Sequence, residues 1–226
     1  MARIINHLFS EDQRQHQQVR SKIVLTSPEL VSSKPTNEIE VEDVTERAQV
    51  SRGTFYKCFR SVDDLLNVSA KQAALELMPP IMSVASTILD VPMRLATKTR
   101  MAIRLFTSMP LLGKLMLKTE WPFRDVQHKG YKDVQKDVSQ GIEQGCFTNM
   151  PVEIAVNLVL GSLRGAVRDM LDHPQPQDYE DLVIYHLLLG LGVDTETAKE
   201  ISKIPLEQLP TFKKNGLVGK FLTLVS

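Results

Sequence analysis

Arg52, Thr54, Tyr56 and Lys57 crowd a guanidinium, two hydroxyls and an ammonium into one short stretch of a 226-residue chain. These donors suit a polyanion: Arg and Lys for phosphates and guanine edges, hydroxyls for phosphate oxygens or bases. From Ser51 to Val62 the chain carries Arg52, Lys57 and Arg60 and no acid, so the positive footprint is small and focused. Catalytic chemistry is not legible elsewhere. The five histidines, His7, His16, His128, His173 and His186, are scattered, and none shares a helical face with a carboxylate inside an apolar stretch. There is no Gly-rich phosphate loop. Asp63-Asp64 reads as helix-start chemistry rather than a catalytic pair. Cys58 and Cys146 lie far apart and form no CxxC or His/Cys cluster. No catalytic residue, metal site or cofactor is expected, and the cysteines read as reduced thiols, with a redox role at Cys58 as the alternative.

The donors need a helix to carry them. Val41–Phe59, VEDVTERAQVSRGTFYKCF, reads as two short helices joined by a tight turn. Val41, Val44 and Ala48 line one face of the first. Val50 sits in the turn. Ser51 is a good N-cap for the second helix, because its hydroxyl can accept from a free backbone N–H. Gly53 costs helix stability, so its use is close backbone approach. Phe55 and Phe59, at i and i+4, anchor the helix to the core and leave Arg52, Thr54, Tyr56 and Lys57 pointing outward. A short helix with a buried back and a donor-rich front suits a DNA major groove.

The order E-R-A-x-V-S-R-G-T-F-Y-K-x-F, followed by Ser61, Asp63, Leu65 and Leu66, resembles the helix-turn-helix of the TetR family of bacterial transcriptional regulators. The resemblance covers residues 39–66; the rest of the chain agrees in helix layout. It implies an all-α fold: an N-terminal three-helix DNA-binding domain (1–70, motif 39–58) and a C-terminal helical domain (71–226) for effector binding and dimerisation. It implies double-stranded operator DNA as partner, with Ser51, Arg52, Gly53, Thr54, Tyr56 and Lys57 at the interface, and a homodimer. The chain departs from the family at four places. Ile39 and Glu40 stand where Thr-Thr is usual, Gln49 where glycine is common, Val62 where lysine often touches phosphate, and Pro28 interrupts a helix that is usually continuous. Glu40 is a poor cap that would face DNA with the wrong charge, so modest DNA affinity is expected.

Hydrophobic residues make up 42% and charged residues 24%, which describes a globular protein and not a disordered one. Net charge is zero, and residues 1–70 hold nine Lys/Arg against ten Asp/Glu, which counts against a strong non-specific nucleic-acid binder. The N-terminus MARIINHLFSEDQRQ has no signal-peptide core, and no apolar run approaches the ~20 residues that span a bilayer, so a cytoplasmic protein with no membrane partner is expected.

Helical periodicity runs throughout, with no strand-like alternation. Glu11 to about Ser32 reads as a first helix that Pro28 kinks or ends. Ser61 caps a connector helix expected to stop near Leu77, before Pro79-Pro80. A short helix covers 81–89, another runs from Pro92 to Met109, and a long surface helix spans Phe123–Gln144 with Val126, Val134, Val138 and Ile142 on one stripe. Pro151–Asp172 and Asp178–Leu191 are apolar around much of their circumference, so each is buried on more than one side. We expect a two-fold dimer through Ala155–Met170 and Leu182–Leu191, with Leu160, Leu163, Val167, Ile184, Leu187 and Leu188 at the interface. A last helix runs from Thr195 to about Lys203, followed by a loosely ordered tail.

The middle of the chain is rich in bulky, adaptable apolar side chains, which suit a small apolar or aromatic effector. The expected chamber holds Leu105, Phe106, Met109, Trp121, Phe123 and Leu163, with Arg104 or Arg164 orienting a polar head. Two other readings compete: a helical enzyme or carrier with a relic helix-turn-helix, supported by Glu40, Val62 and the neutral N-terminal part, and a structural interaction protein. The donor-rich face from Arg52 to Lys57 counts against the interaction protein, and a salt-dependent DNA-binding assay separates the regulator from the enzyme or carrier.

Overall fold

The computed structural model describes residues 11–206, 209 and 211–224, so the first ten residues, His7 among them, and Pro210 lie outside the described residues. Among the described residues there are twelve α-helices, two 3₁₀ turns and no strand, as the helical periodicity predicts. None of these helices is long and apolar enough to cross a membrane.

Four helices build the N-terminal unit: α1 (Glu11–Val24), α2 (Ser27–Ser33), α3 (Val41–Ala48) and α4 (Arg52–Cys58). Pro28 ends the predicted first helix and opens α2, where its missing N–H costs nothing in the first turn. Ile23, Leu30, Val44, Ala48, Phe55 and Phe59 fill the core between them. Glu40 is the N-cap of α3 and shares a capping box with Asp43, whose Oδ2 accepts from Glu40 N at 2.7 Å and from Lys34 Nζ at 2.6 Å. Lys34, and next the Glu40 N–H, hold the Asp43 carboxyl below the usual carboxylate range. Gln49 ends α3 in the left-handed region, at φ 50° and ψ 54°. A side chain there costs about 1–2 kcal/mol, and glycine's extra freedom in the unfolded chain returns roughly 0.5–1 kcal/mol of that. Gln49→Gly should therefore stabilise the protein by about 0.5–1 kcal/mol. Urea unfolding checks this; a lower midpoint would show that the Gln49 side chain contributes more than its backbone strain costs.

α5 (Val62–Ala85) leaves the N-terminal unit and runs on through the larger one. Ser61 Oγ accepts from Asp64 N at 3.1 Å and starts it as expected. The predicted stop before Pro79-Pro80 does not occur, and there is no separate helix over 81–89: both prolines lie inside α5. They free the carbonyls of Leu75 and Glu76, and Leu75 is exposed, where water can serve its carbonyl. Met78, Ile81 and Ala85 are buried on either side, and this packing holds the helix together.

The larger unit contains α6 (Val91–Ser108), α7 (Pro110–Lys118), α8 (Lys129–Glu143), α9 (Val152–Asp172), α10 (Tyr179–Gly190), α11 (Thr195–Lys203) and α12 (Leu217–Thr223). α9 packs on α6, α7, α8 and α10. The expected long helix from Phe123 is shorter. Pro122–Arg124 is a 3₁₀ turn, Asp125 Oδ1 accepts from Gln127 N at 2.9 Å, and His128 Nδ1 caps α8 by accepting from Gly130 N at 3.0 Å. Val126 falls in this turn, exposed. Nor is α8 only a surface helix. Asp133 and Asp137 are buried against α6, where Lys98 Nζ meets Asp133 Oδ2 at 2.7 Å and Asp137 Oδ2 at 2.8 Å, and Arg94 Nε meets Asp137 Oδ1 at 3.0 Å. The tail is ordered as α12, with Leu217, Val218 and Phe221 fully buried and Glu76 Oε2 accepting from Val218 N at 3.0 Å.

Candidate functional site

α4 presents the predicted face. Ser51 Oγ caps it by accepting from Thr54 N at 3.1 Å, and Phe55 and Phe59 hold its back, ring centroids 5.8 Å apart. Ser51, Arg52, Gly53, Tyr56 and Lys57 are exposed and Thr54 is half-buried. A Cβ built on Gly53 would meet only Ser51 Oγ, at 3.8 Å, so nothing in the protomer requires glycine there. Arg52 Nη1 rests on Glu42 Oε1 of α3, an exposed pair of little net stability. Val62 is half-buried at the start of α5. Burial pushes the Cys58 thiol up, with Arg20 opposing, which disfavours the nucleophilic thiolate that a redox role needs.

The larger unit holds a narrow apolar cavity of about 40 Å³ between α5, α6, α8 and α9. Leu77, Leu105, Phe106, Phe123, Val159 and Leu163 line it, with Lys98, Thr99 and Asp133 as polar members. This is room for a water or two and not for an aromatic ring unless side chains move. Of the expected chamber residues, Leu105, Phe106, Phe123 and Leu163 line the cavity. Met109 is fully buried outside it. Trp121 lies behind its aromatic wall, with its ring 6.0 Å from Phe106 and 5.4 Å from Phe123. Neither expected arginine enters. Arg104 Nε meets both oxygens of Glu180 on α10 at 3.0 Å, and Arg164 sits over the outer face of the cluster, 5.8 Å from the Trp121 ring. The charges at the cavity's edge are instead Lys98 and Asp133, on a helix pair whose sequence read as half surface.

A second cavity of about 180 Å³ lies between the end of α5, α6 and the segment after α11. Its one charge, Arg100, is spent on structure: it donates to Asp181 Oδ1 at 2.7 Å and to Ile204 O at 2.5 Å, and also to Ser202 O.

The six residues expected at a dimer interface, Leu160, Leu163, Val167, Ile184, Leu187 and Leu188, are all buried inside the protomer. α9 packs on α6, α7, α8 and α10, and α10 on α6, α9 and α11, so these side chains are used within the protomer, although Leu187 also reaches the outer groove. The outward face of α9 and α10 is different. Leu158 and Leu182 are 38% and 44% exposed there, and with Ser162, Gly165, His186 and Gly190 they line an open groove. Gly161, Gly165 and Gly190 have nothing within 4 Å of where a Cβ would stand.

Comparison with known proteins agrees with this architecture. The RolR structure with its ligand resorcinol superposes with a TM-score of 0.76 at 21% identity, covering 87% of this chain and 98% of that one. A putative TetR-family transcription regulator from Shewanella sp. PV-4 gives a TM-score of 0.65 at 19% identity, covering 78% and 99%. The transcriptional regulator FadR from Bacillus subtilis, in complex with stearoyl-CoA, gives 0.61 at 17% identity, covering 76% and 97%. These likenesses show the fold. No curated protein sequence matches the chain. The tetracyclin repressor-like C-terminal domain matches residues 92–204, half of the chain, from the start of α6 to the end of α11. With the helix-turn-helix of α3 and α4 ahead of it, this chain belongs to the TetR family of transcriptional regulators.

Proposed function

We propose that the chain is a homodimeric regulator that holds double-stranded operator DNA through α4 and releases it when a small apolar or aromatic effector enters the α5–α6–α8–α9 cavity. The division of labour falls within α5, with residues up to about 70 serving DNA and the rest serving effector and partner. The protein works in the cytoplasm, where its DNA is.

The observation that carries this reading is the face of α4. Arg52, Thr54, Tyr56 and Lys57 stand around a glycine that no packing within the protomer explains. A glycine inside a helix costs about 1 kcal/mol relative to alanine, and close approach of a phosphate backbone gives it a use. Repression is the family's usual sign. The cavity supports a small aromatic guest more than a long acyl chain: RolR, of this fold, holds resorcinol, and a single ring asks less movement of a cavity this narrow.

Arg52→Ala tests the DNA face. On a duplex selected by the protein from a random pool, the variant should bind about 1–3 kcal/mol more weakly if Arg52 reads a base edge. If Arg52 touches only phosphate, the loss should be similar on all sequences and the log–log salt slope should fall by about one unit. Wild-type binding by this variant would remove Arg52 from the interface.

A further inference from the structure

Three buried side-chain nitrogens lack a hydrogen-bond acceptor among the described residues: Arg100 Nε, Trp121 Nε1 and His128 Nε2. Arg100 Nε still faces Glu180 Oε1 at 3.0 Å, so its charge is met. The other two belong to one aromatic cluster. Trp121 is 5% exposed and His128 8%. Their rings lie 5.4 Å and 5.2 Å from that of Phe123, which touches both.

Both atoms are donors. The indole N–H can only donate. His128 Nδ1 accepts from Gly130 N at 3.0 Å, so in the neutral ring the proton sits on Nε2. Burial, and next Lys71, push the His128 pKa below its ordinary value against the opposing pull of Asp125, so the neutral ring is the form present at pH 7. Leaving two buried donors unmade in one place is costly, so an acceptor brought by a ligand would be favoured there.

Phe123, which packs against both rings, also lines the apolar cavity. It occupies the room left by Gly130, where a Cβ would lie 2.5 Å from Phe123 Cδ1. A ring entering the cavity must displace something, and a shift of Phe123, which lines the cavity and touches both rings, would change the surroundings of the two N–H groups as well. The segment is also tied to the DNA side. Glu120 N, next to Trp121, donates to Asn67 Oδ1 of α5 at 2.8 Å, and the Glu120 carboxylate lies 3.8 Å from Lys71 of the same helix.

We infer that Trp121 Nε1 and His128 Nε2 read an acceptor oxygen on the effector, behind the Phe123 ring, and that Glu120 passes the resulting displacement to α5 at Asn67. This rests on the cavity being the effector chamber. The class of ligand follows: a small aromatic ring with a phenolic or carbonyl oxygen. An ammonium or other donor-only head meets two donors and is rejected.

Three probes of similar shape test the idea by calorimetry: phenol, benzaldehyde and toluene. Trp121→Phe keeps the ring stack and removes one donor. His128→Asn keeps an acceptor for Gly130 N, as asparagine is a good N-cap, and removes the other. Wild type should bind phenol and benzaldehyde about tenfold more tightly than toluene. Each variant should lose several-fold of that advantage with toluene binding unchanged, and its ligand-free melting temperature should not drop. Amide exchange at Glu120 should change when phenol binds. If toluene binds and the oxygen adds nothing, or its advantage survives both substitutions, the donor assignment is wrong while the chamber stands. If the Glu120 amide is indifferent to phenol, the link to α5 is wrong. If no probe binds, the chamber itself is wrong.

Discussion

Asp137→Ala should cost about 3–5 kcal/mol of folding stability, the usual price of breaking a buried ion pair by removing one partner. Asp137 is buried between α6 and α8 and serves two cations at once, Arg94 at 3.0 Å and Lys98 at 2.8 Å. Arg94 would keep the carbonyls of Ile88 and Leu89 and the Gln140 side chain, and Lys98 would keep Asp133. Both cations would still be under-compensated in a place with little water, and a protein with roughly 5–15 kcal/mol of total stability cannot absorb that unnoticed. Lys98 and Asp133 also border the chamber, so the variant should bind apolar probes with altered affinity even where it remains folded. Denaturant unfolding of wild type and variant gives the number. A loss under about 1 kcal/mol would place the pair among solvated surface bridges. Replacing Arg94, Lys98, Asp133 and Asp137 together by apolar residues of similar size should cost far less than Asp137→Ala alone, since no orphaned charge remains.

What sequence reading reached, and what it did not, follows from the range of the interactions involved. The helix-turn-helix is local. Ser51 caps its own helix, Phe55 and Phe59 share one face, and Val50 fills the adjoining turn, so residue order alone specifies α3 and α4. Features that depend on a distant partner were hidden. Pro79-Pro80 reads as a stop because the cost of proline is local, while the burial of Met78 and Ile81 that outweighs it is not. Pro110, directly after the predicted helix end at Met109, opens α7, and Leu112, Leu115 and Met116 then fall on one buried face. Asp133 and Asp137 look solvated on a helix full of Lys and Gln until Arg94 and Lys98 are brought across from α6. Arg104 looks like a ligand clamp until Glu180 takes it. The cavity between α5, α6, α8 and α9 was half legible: its aromatic and leucine lining was, because bulk clusters in sequence, but its polar groups were not. His128 gave one signal that could have been read. A histidine just ahead of Lys129-Gly130 and three residues after Asp125 sits where a capping residue would, and the helix does begin there.

Leu182→Glu should turn a dimer into folded monomers and weaken operator binding by about 10²–10⁴-fold, the advantage that two linked reading heads hold over one. Leu182 stands on the outer face of α10, 44% exposed, opposite Leu158 of α9 across the open groove. Around them the surface is small: Gly161, Gly165 and Gly190 sit within or at the end of helices where a Cβ would meet nothing, so a second copy can bring its own helices close. A two-fold axis through this patch would make it self-complementary and would let two α4 helices address successive major grooves, about 34–36 Å apart. A glutamate at 182 puts a carboxylate where an apolar surface must desolvate, yet in the monomer it stays in water, so folding is spared. Leu160→Glu is the control that separates the faces. Leu160 is 6% exposed and points into the core, so its glutamate should unfold the protomer rather than split the dimer. Sedimentation and circular dichroism together distinguish the cases. A Leu182→Glu protein that sediments as a dimer at micromolar concentration would move the interface elsewhere. One that unfolds like Leu160→Glu would show that Leu182 supports the protomer core. A folded monomer that holds the operator as tightly as wild type would mean that one α4 suffices and that the spacing of two reading heads is not what an effector controls.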